Sequence, residues 1–203
     1  MTEARARPID GIVIHSALTD GTRVCLRTIK PDDEERIRDG IARLSAESRY
    51  LRFFSPAPAL PDEVVHRLAD VDGHDHIAWG AICSECPGWP AIGAVHAVRN
   101  QPDGRVGEYS VAVLDEFHGK GLARMMTAAL LVDCHAEGLT GLDVHTLSEN
   151  RAASRLVHAL GGTWKGESAG VAEYCLDVGA AIAALRADTD APGVQHVFEQ
   201  LGV

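Results

Sequence analysis

The chain has 203 residues, of which 46% are hydrophobic and 24% charged, a balance that suits one folded, enzyme-sized domain and excludes a disordered polymer. A formal net charge of -10 argues against nucleic acid as the main partner and favours a cationic one. No apolar run reaches the ~18 residues of a membrane span, and "MTEARARPID" lacks the apolar core of a secretion signal, so no membrane partner is expected and the cytoplasm is the expected location.

Residues 1–10 read as a flexible N-terminal arm. The run "RVCLRTI" reads as a strand, and Pro31 with the acidic residues after it opens a helix carrying Ile37, Ile41 and Leu44 on one face. "ESRYLRFF" reads as a short helix entering a proline-rich loop, and "PDEVVHRLADV" as a further helix started by a proline. Three strands, "HIAWGAIC", "PAIGAVHAV" and "RVGEYSVAVL", are joined by short turns and predict an antiparallel meander.

"LARMMTAALLVDCHAEG" is apolar on most sides, so this helix should be buried against a sheet and stop at Gly138. After it come a strand, "LDVHTL", a helix, "NRAASRLVHALGG", and two strands within "TWKGESAGVAEYCLDV". The order implies a mixed α/β sheet, mostly antiparallel, with one parallel strand–helix–strand crossover near its middle and helices on its flanks. The expected domain runs over residues 11–178, with a helical tail over 179–203 that packs on the domain or on a second copy as a homodimer.

Five cysteines in a chain without a secretion signal read as reduced thiols, with Cys25, Cys134 and Cys175 among apolar neighbours. Cys83 and Cys86, with His74 and His76 upstream, could supply four zinc ligands, but the spacing matches no standard site. A hairpin loop with incidental cysteines, and no metal, is the expectation.

The stretch "DEFHGKGLARMM" sets Gly119 and Gly121 around Lys120 where a strand ends and a helix starts. A Walker motif fails for want of Ser or Thr after the lysine, and a dinucleotide fingerprint fails because Arg124 stands where the third glycine belongs. What remains is a turn whose amides, with those of the helix start, can gather round a pyrophosphate, or a strand-to-helix turn that simply needs positive φ.

The pattern [QR]-x-x-G-x-[GA], met here by His118, Gly119, Lys120, Gly121, Leu122 and Ala123, resembles the acetyl-CoA signature of the GNAT superfamily of N-acetyltransferases. "LRTIKPDDEERIRDGIARLSAESRYLRFF", "GEYSVAVLDEFHGKGLARMM" and "LSENRAASRLVHALGGTW" are similar to segments of the branch containing the bacterial protein-lysine acetyltransferases. His118 departs from the usual Gln or Arg.

The resemblance implies the acyl-CoA N-acyltransferase fold, with one splayed parallel strand pair, and acetyl-CoA as co-substrate. It implies that Val111, Ala112 and Val113 hold the pantetheine arm, that the glycine turn holds the diphosphate, and that Asn150 and Ser154 line the same groove. Strand alternation sets Tyr109, Val111 and Val113 on one face and Glu108, Ser110 and Ala112 on the other. Asn150 is equally suited to cap its helix.

The implied reaction is direct attack of an amine on the thioester. Only about one lysine-like amine in 2,500 is uncharged at pH 7, so a base is useful, and Glu108 falls at the family's base position. A tyrosine acid common in the family is replaced by Val157. The acceptor is expected to be a protein lysine. A small amine such as an amino acid, polyamine or drug, or a non-catalytic acyl-CoA-binding regulatory module, remain as alternatives.

Overall fold

The computed structural model describes residues 11–203 except 56, 58 and 189, so the expected arm over residues 1–10 lies outside the described residues. Strands β1 (Val13–Ala17) and β2 (Arg23–Thr28) are followed by helices α1 (Glu34–Arg43), α2 (Ala46–Phe53) and α3 (Asp62–Ala69). Strands β3 (His76–Cys83), β4 (Ala91–Arg99) and β5 (Val106–Val113) form the expected meander, which leads into helix α4 (Leu122–Ala136) and strand β6 (Gly141–Leu147). Helix α5 (Arg151–Ala159), strands β7 (Thr163–Ser168) and β8 (Val171–Asp177), and helices α6 (Val178–Ala187) and α7 (Pro192–Leu201) complete the chain.

The eight strands make one sheet in the order β1-β2-β3-β4-β5-β6-β8-β7. Every neighbouring pair is antiparallel except β5 and β6, which α4 connects by the expected crossover. Strand β1 adds an edge strand to the elements read from sequence. Its five residues alternate weakly, with Ile14 buried and Val13 exposed, too short a pattern to separate from the turn beside it.

Helix α4 buries 11 of its 15 residues because both of its sides are covered. One side lies on β3, β4 and β5, and the other receives α6 and α7. The tail thus uses its apolar face within the chain: Gly193 comes so close to the Met125 side chain that a Cβ would stand 2.7 Å from its sulfur, and Gln200 pairs with the main chain of His15 through bonds of 2.8 and 3.1 Å.

Two polar contacts fix α4 to the sheet. Buried Trp79 donates its indole N–H to Asp133 at 3.0 Å, and the Tyr109 hydroxyl lies 2.7 Å from that of Thr127. Both strand residues therefore point to the α4 face, and alternation turns Ala78, Gly80, Ala94, His96, Ser110 and Ala112 to the opposite face beneath α1 and α2.

The cysteine expectation needs correction. Cys83 and Cys86 are joined in a disulfide across the hairpin loop, their Cα atoms 5.4 Å apart, a separation that a bridge accommodates. Cys134 is buried, and burial pushes its thiol far above the ordinary range; Cys25 and Cys175 are half-buried and free. Among the described residues no group of His, Cys, Asp and Glu is placed to hold a metal.

Replacing Trp79 by Phe removes one donor from a buried carboxylate. The expected loss is about 1–3 kcal/mol of folding free energy, read from urea unfolding, and an unchanged midpoint would show that the bond contributes nothing.

Candidate active site

Strands β5 and β6 pair only from Val106 with Gly141 to Tyr109 with Val144. Beyond that point β5 continues beside β4 as far as Val113, and β6 continues beside β8 as far as Leu147. The two lips therefore diverge. The Leu114 amide bonds to the Ile92 carbonyl at 2.9 Å; counting back in steps of two, Ala112 and Ser110 exchange their main-chain bonds with β4. The amides and carbonyls of Val111 and Val113 then face the opening.

Those groups are what an amide-bearing arm such as pantetheine needs in order to lie along a strand. His118 donates from Nε2 to the Val113 carbonyl at 2.8 Å, so that oxygen is already engaged and ties the turn to the strand end. Ala112 has its main chain in the β4 ladder and brings only a methyl to the other face. On β6, buried Thr146 keeps a hydroxyl oxygen with no partner among the described residues.

The glycine turn stands at the end of β5. Gly119 and Gly121 have φ of 71° and 86°, the left-handed region that disfavours a side chain. Gly121 is also the N-cap of α4 and brings no capping side chain, so the first-turn amides of Leu122, Ala123 and Arg124 lack intrahelical acceptors. A Cβ on Gly119 would meet nothing within 4 Å, so the concavity is open where a phosphate would come closest. Lys120 contributes less free charge than its position suggests. Its Nζ lies 2.9 Å from Asp20 and over the Phe117 ring. The Thr22 amide and then Lys120 hold the Asp20 carboxyl down at about 2.

On the opposite sheet face, α1, α2 and strands β2 to β5 enclose a cavity of about 90 Å³. Its walls are mostly apolar, with Ile37, Ile41 and Ile92 among them. Arg27 and Asp33 make a two-pronged ion pair at 2.5 and 2.7 Å on its rim. Burial resists ionisation of Asp33, but Arg27 and the Lys30 amide keep its carboxyl below the usual range. Arg52 reaches in from α2 to donate to Ser110 Oγ at 2.7 Å, and burial lowers its guanidinium to about 10 against the pull of Glu108 and Tyr109. Glu108 is exposed, opposite Val98 on β4 and Asp143 on β6, one residue before the last β5–β6 pair.

The N-terminus of α5 lies just past the β6 lip. Asn150 caps it, its Oδ1 accepting from the Ala153 amide at 3.0 Å, while its side-chain NH₂ has no partner among the described residues. Ser154 stands one turn further on, its carbonyl taken by His158 at 2.6 Å. Val157 is buried, and His158 is turned to its own helix and the Tyr174 ring edge, so neither offers an acid to the cleft.

Asp115, in the turn between β5 and the glycines, accepts from the Ser45 hydroxyl (2.7 Å), the Ser45 amide (3.1 Å) and the Ser48 hydroxyl (2.8 Å). Ser45 also caps α2. The helix roofing the cavity and the glycine turn are thus tied through one carboxylate. Arg52, Asp115 and the pairing of His76 with His96 were not singled out from the sequence, because each matters only through a partner on a distant element.

A mixed sheet splayed at one parallel pair, with a glycine turn and helix N-terminus at the end of the cleft, defines an acyl-CoA N-acyltransferase fold. A family model for the acetyltransferase (GNAT) domain matches residues 23–163, and the chain belongs to that family. It is 30% identical over 156 residues to the acetyltransferase Pat of Mycolicibacterium smegmatis, covering 75% of this chain but only 45% of that protein. An acetyltransferase of Pseudomonas aeruginosa is 27% identical over 145 residues, 71% of this chain and 77% of that one. The solved GNAT domain of S. lividans PAT superposes with a TM-score of 0.73 at 26% identity, over 81% of this chain and 96% of that chain.

Two outcomes follow from this geometry. A side chain at Gly121 would meet only the Thr19 methyl, at 3.7 Å, so the damage comes from its left-handed backbone and not from filling the cradle. Gly121→Val should weaken CoA at least about tenfold by calorimetry through a distorted turn; wild-type affinity would show that the turn does not hold the diphosphate. Burial works against ionised Asp115, yet its three serine bonds hold its carboxyl at about 2, below the ordinary 3.8. The stabilisation is therefore complete above about pH 5 and is lost as pH falls towards about 2. Asp115→Asn should lose less stability than the wild type over that interval in chemical denaturation.

Proposed function

We propose that the chain transfers an acetyl group from acetyl-CoA to a primary amine by direct attack, with a protein lysine as the acceptor. The observation that carries this is the opening left where β5 and β6 stop pairing, with an open glycine turn at the end of β5 and a cavity under α1 and α2 lined in part by Ala112 and Val113 of the same strand. When bound, acetyl-CoA supplies the activated acyl carbon. The amides of Gly119 to Arg124 hold its diphosphate, Val111 and the Val113 amide align its pantetheine arm, and Asn150 and Ser154 border its path. The Val111 amide is placed to donate to the thioester oxygen as charge builds there.

Glu108 is the base that takes the first proton from the arriving ammonium. It is exposed within the field of Arg52, which lines the cavity, and lies on the strand that carries the cleft. A volume of about 90 Å³ suits the alkylamine stem of lysine and is small for a drug-sized acceptor. Similarity to Pat acetyltransferases and the net charge of -10 support a cationic protein surface as partner. No helix among the described residues is long and apolar enough to cross a membrane, in keeping with the proposed cytoplasmic setting. A small polyamine would satisfy the same cavity, and thiol release from acetyl-CoA across a panel of amines and lysine peptides separates the two.

Glu108→Gln should lower turnover by about 10²–10⁴ while leaving acetyl-CoA affinity unchanged. A variant as active as the wild type removes Glu108 from the chemistry. Tight CoA binding with no turnover of any amine would favour a regulatory module over an enzyme.

A further inference from the structure

An alkylammonium carries three N–H protons and the amide it becomes keeps one, so two protons must leave the nitrogen during acyl transfer. Glu108 accounts for the first. The second is shed as the nitrogen lone pair enters the new C–N bond, which makes that nitrogen far more acidic and calls for an acceptor beside the reacting atoms, deeper than an exposed carboxylate.

The cavity contains such a group. His96, on β4, lies opposite Ser110, the first β5 residue beyond the last β5–β6 pair, so its ring stands beside the point where the cleft opens. It is 4% exposed and lines the cavity with Arg52, Ala94 and Ala112. Its Nδ1 is 3.0 Å from Nε2 of His76 on β3, and Nδ1 of His76 is 2.9 Å from the Asp70 carbonyl. A carbonyl only accepts, so His76 carries its proton on Nδ1 and presents a bare Nε2. His96 must then donate from Nδ1, which leaves its own Nε2 as a lone pair, with no partner among the described residues.

We infer that His96, oriented by His76, is a second proton-accepting group of the reaction, taking the proton that the amine nitrogen releases as it bonds to the thioester carbon. The inference rests on acyl transfer to an amine as proposed above. Glu108 removes one proton from the ammonium and passes it to solvent. The free amine attacks the acyl carbon, the C–N bond forms, and Nε2 of His96 takes the second proton. The C–S bond then breaks with its electron pair on sulfur, and the imidazolium returns its proton to the thiolate. The sum is amide, CoA thiol and one proton released, with His96 restored. His76 does not touch the substrate; it is a positioning residue that fixes the tautomer.

The surroundings suit this role. His76 on β3, Arg52 on α2, and Ser110 and Glu108 on β5 stand round His96, and Asp70 and Asp72 lie behind His76. Burial, then His76 and Arg52, hold His96 well below the usual histidine value of 6.5, and burial likewise lowers His76. His96 is thus neutral and ready to accept at neutral pH, and its acidic limb lies below pH 6.5.

Long-range proton–nitrogen NMR correlations on the wild-type protein at pH 7 should show His96 protonated at Nδ1 and bare at Nε2; protonation at Nε2 would overturn the inference whatever amine is used. In kinetics, His96→Gln should lower kcat by about 10² with the KM for acetyl-CoA unchanged, and reduce the acid-side slope of log kcat/KM by about one unit. His76→Asn should lower kcat about tenfold, again without moving that KM. Wild-type turnover with unaltered kcat in His96→Gln overturns the role of His96 alone. Absence of turnover with every amine in the wild type, with Nε2 bare by NMR, overturns the transferase reading and this role together.

Discussion

The structure depends on a restriction in hydrogen bonding: two central strands share four residue pairs and then each keeps only its outer neighbour. Strand β5 is held by β4, and β6 by β8, so the two half-sheets twist apart once their common ladder ends. A break in a central ladder normally strands main-chain donors and acceptors. Here those of Val111 and Val113 face the opening between β5 and β6, where the Val113 carbonyl is taken up by His118.

The faces of the sheet divide the remaining work. Helix α4 is anchored from below by Trp79 and Tyr109 and covered from above by the tail, which makes its N-terminus a rigid donor of unpaired amides. The other face carries the cavity, with small residues at Gly80, Ala94 and Ala112 leaving room under α1 and α2. Asp115 connects the two sides by taking three bonds from the start of α2, so the roof of the cavity cannot shift without pulling on the turn that leads to Gly119.

Much of this was legible in the sequence because it rests on local patterns. Period-two runs marked β3 to β6, proline and acidic starts marked α1 and α3, and the paired glycines marked the turn before α4. Strand β1 escaped because five mixed residues at an edge carry little periodicity. Reduced cysteines were expected from compartment rather than geometry, and the hairpin instead brings Cys83 and Cys86 within bonding reach. The candidate cleft was legible as far as its main chain. The positions of Val111, Gly119 and Gly121 can be counted along one strand and turn, whereas Arg52 with Ser110, or His76 with His96, are neighbours only because separate elements meet in the sheet. Asn150 shows the limit: its capping bond to Ala153 is local chemistry, and nothing in the residue itself distinguishes that duty from contact with a ligand.

The pairing of Lys120 with Asp20 bears on how this cleft would respond to ionic strength. With the lysine charge offset by a neighbouring carboxylate, a diphosphate seated there as proposed would be held mainly by peptide dipoles converging from the turn and the helix end. Partial charges at van der Waals range leave few counterions for added electrolyte to compete with. Such a grip tolerates brine better than one made of free lysines, and selects its guest by shape more than by charge.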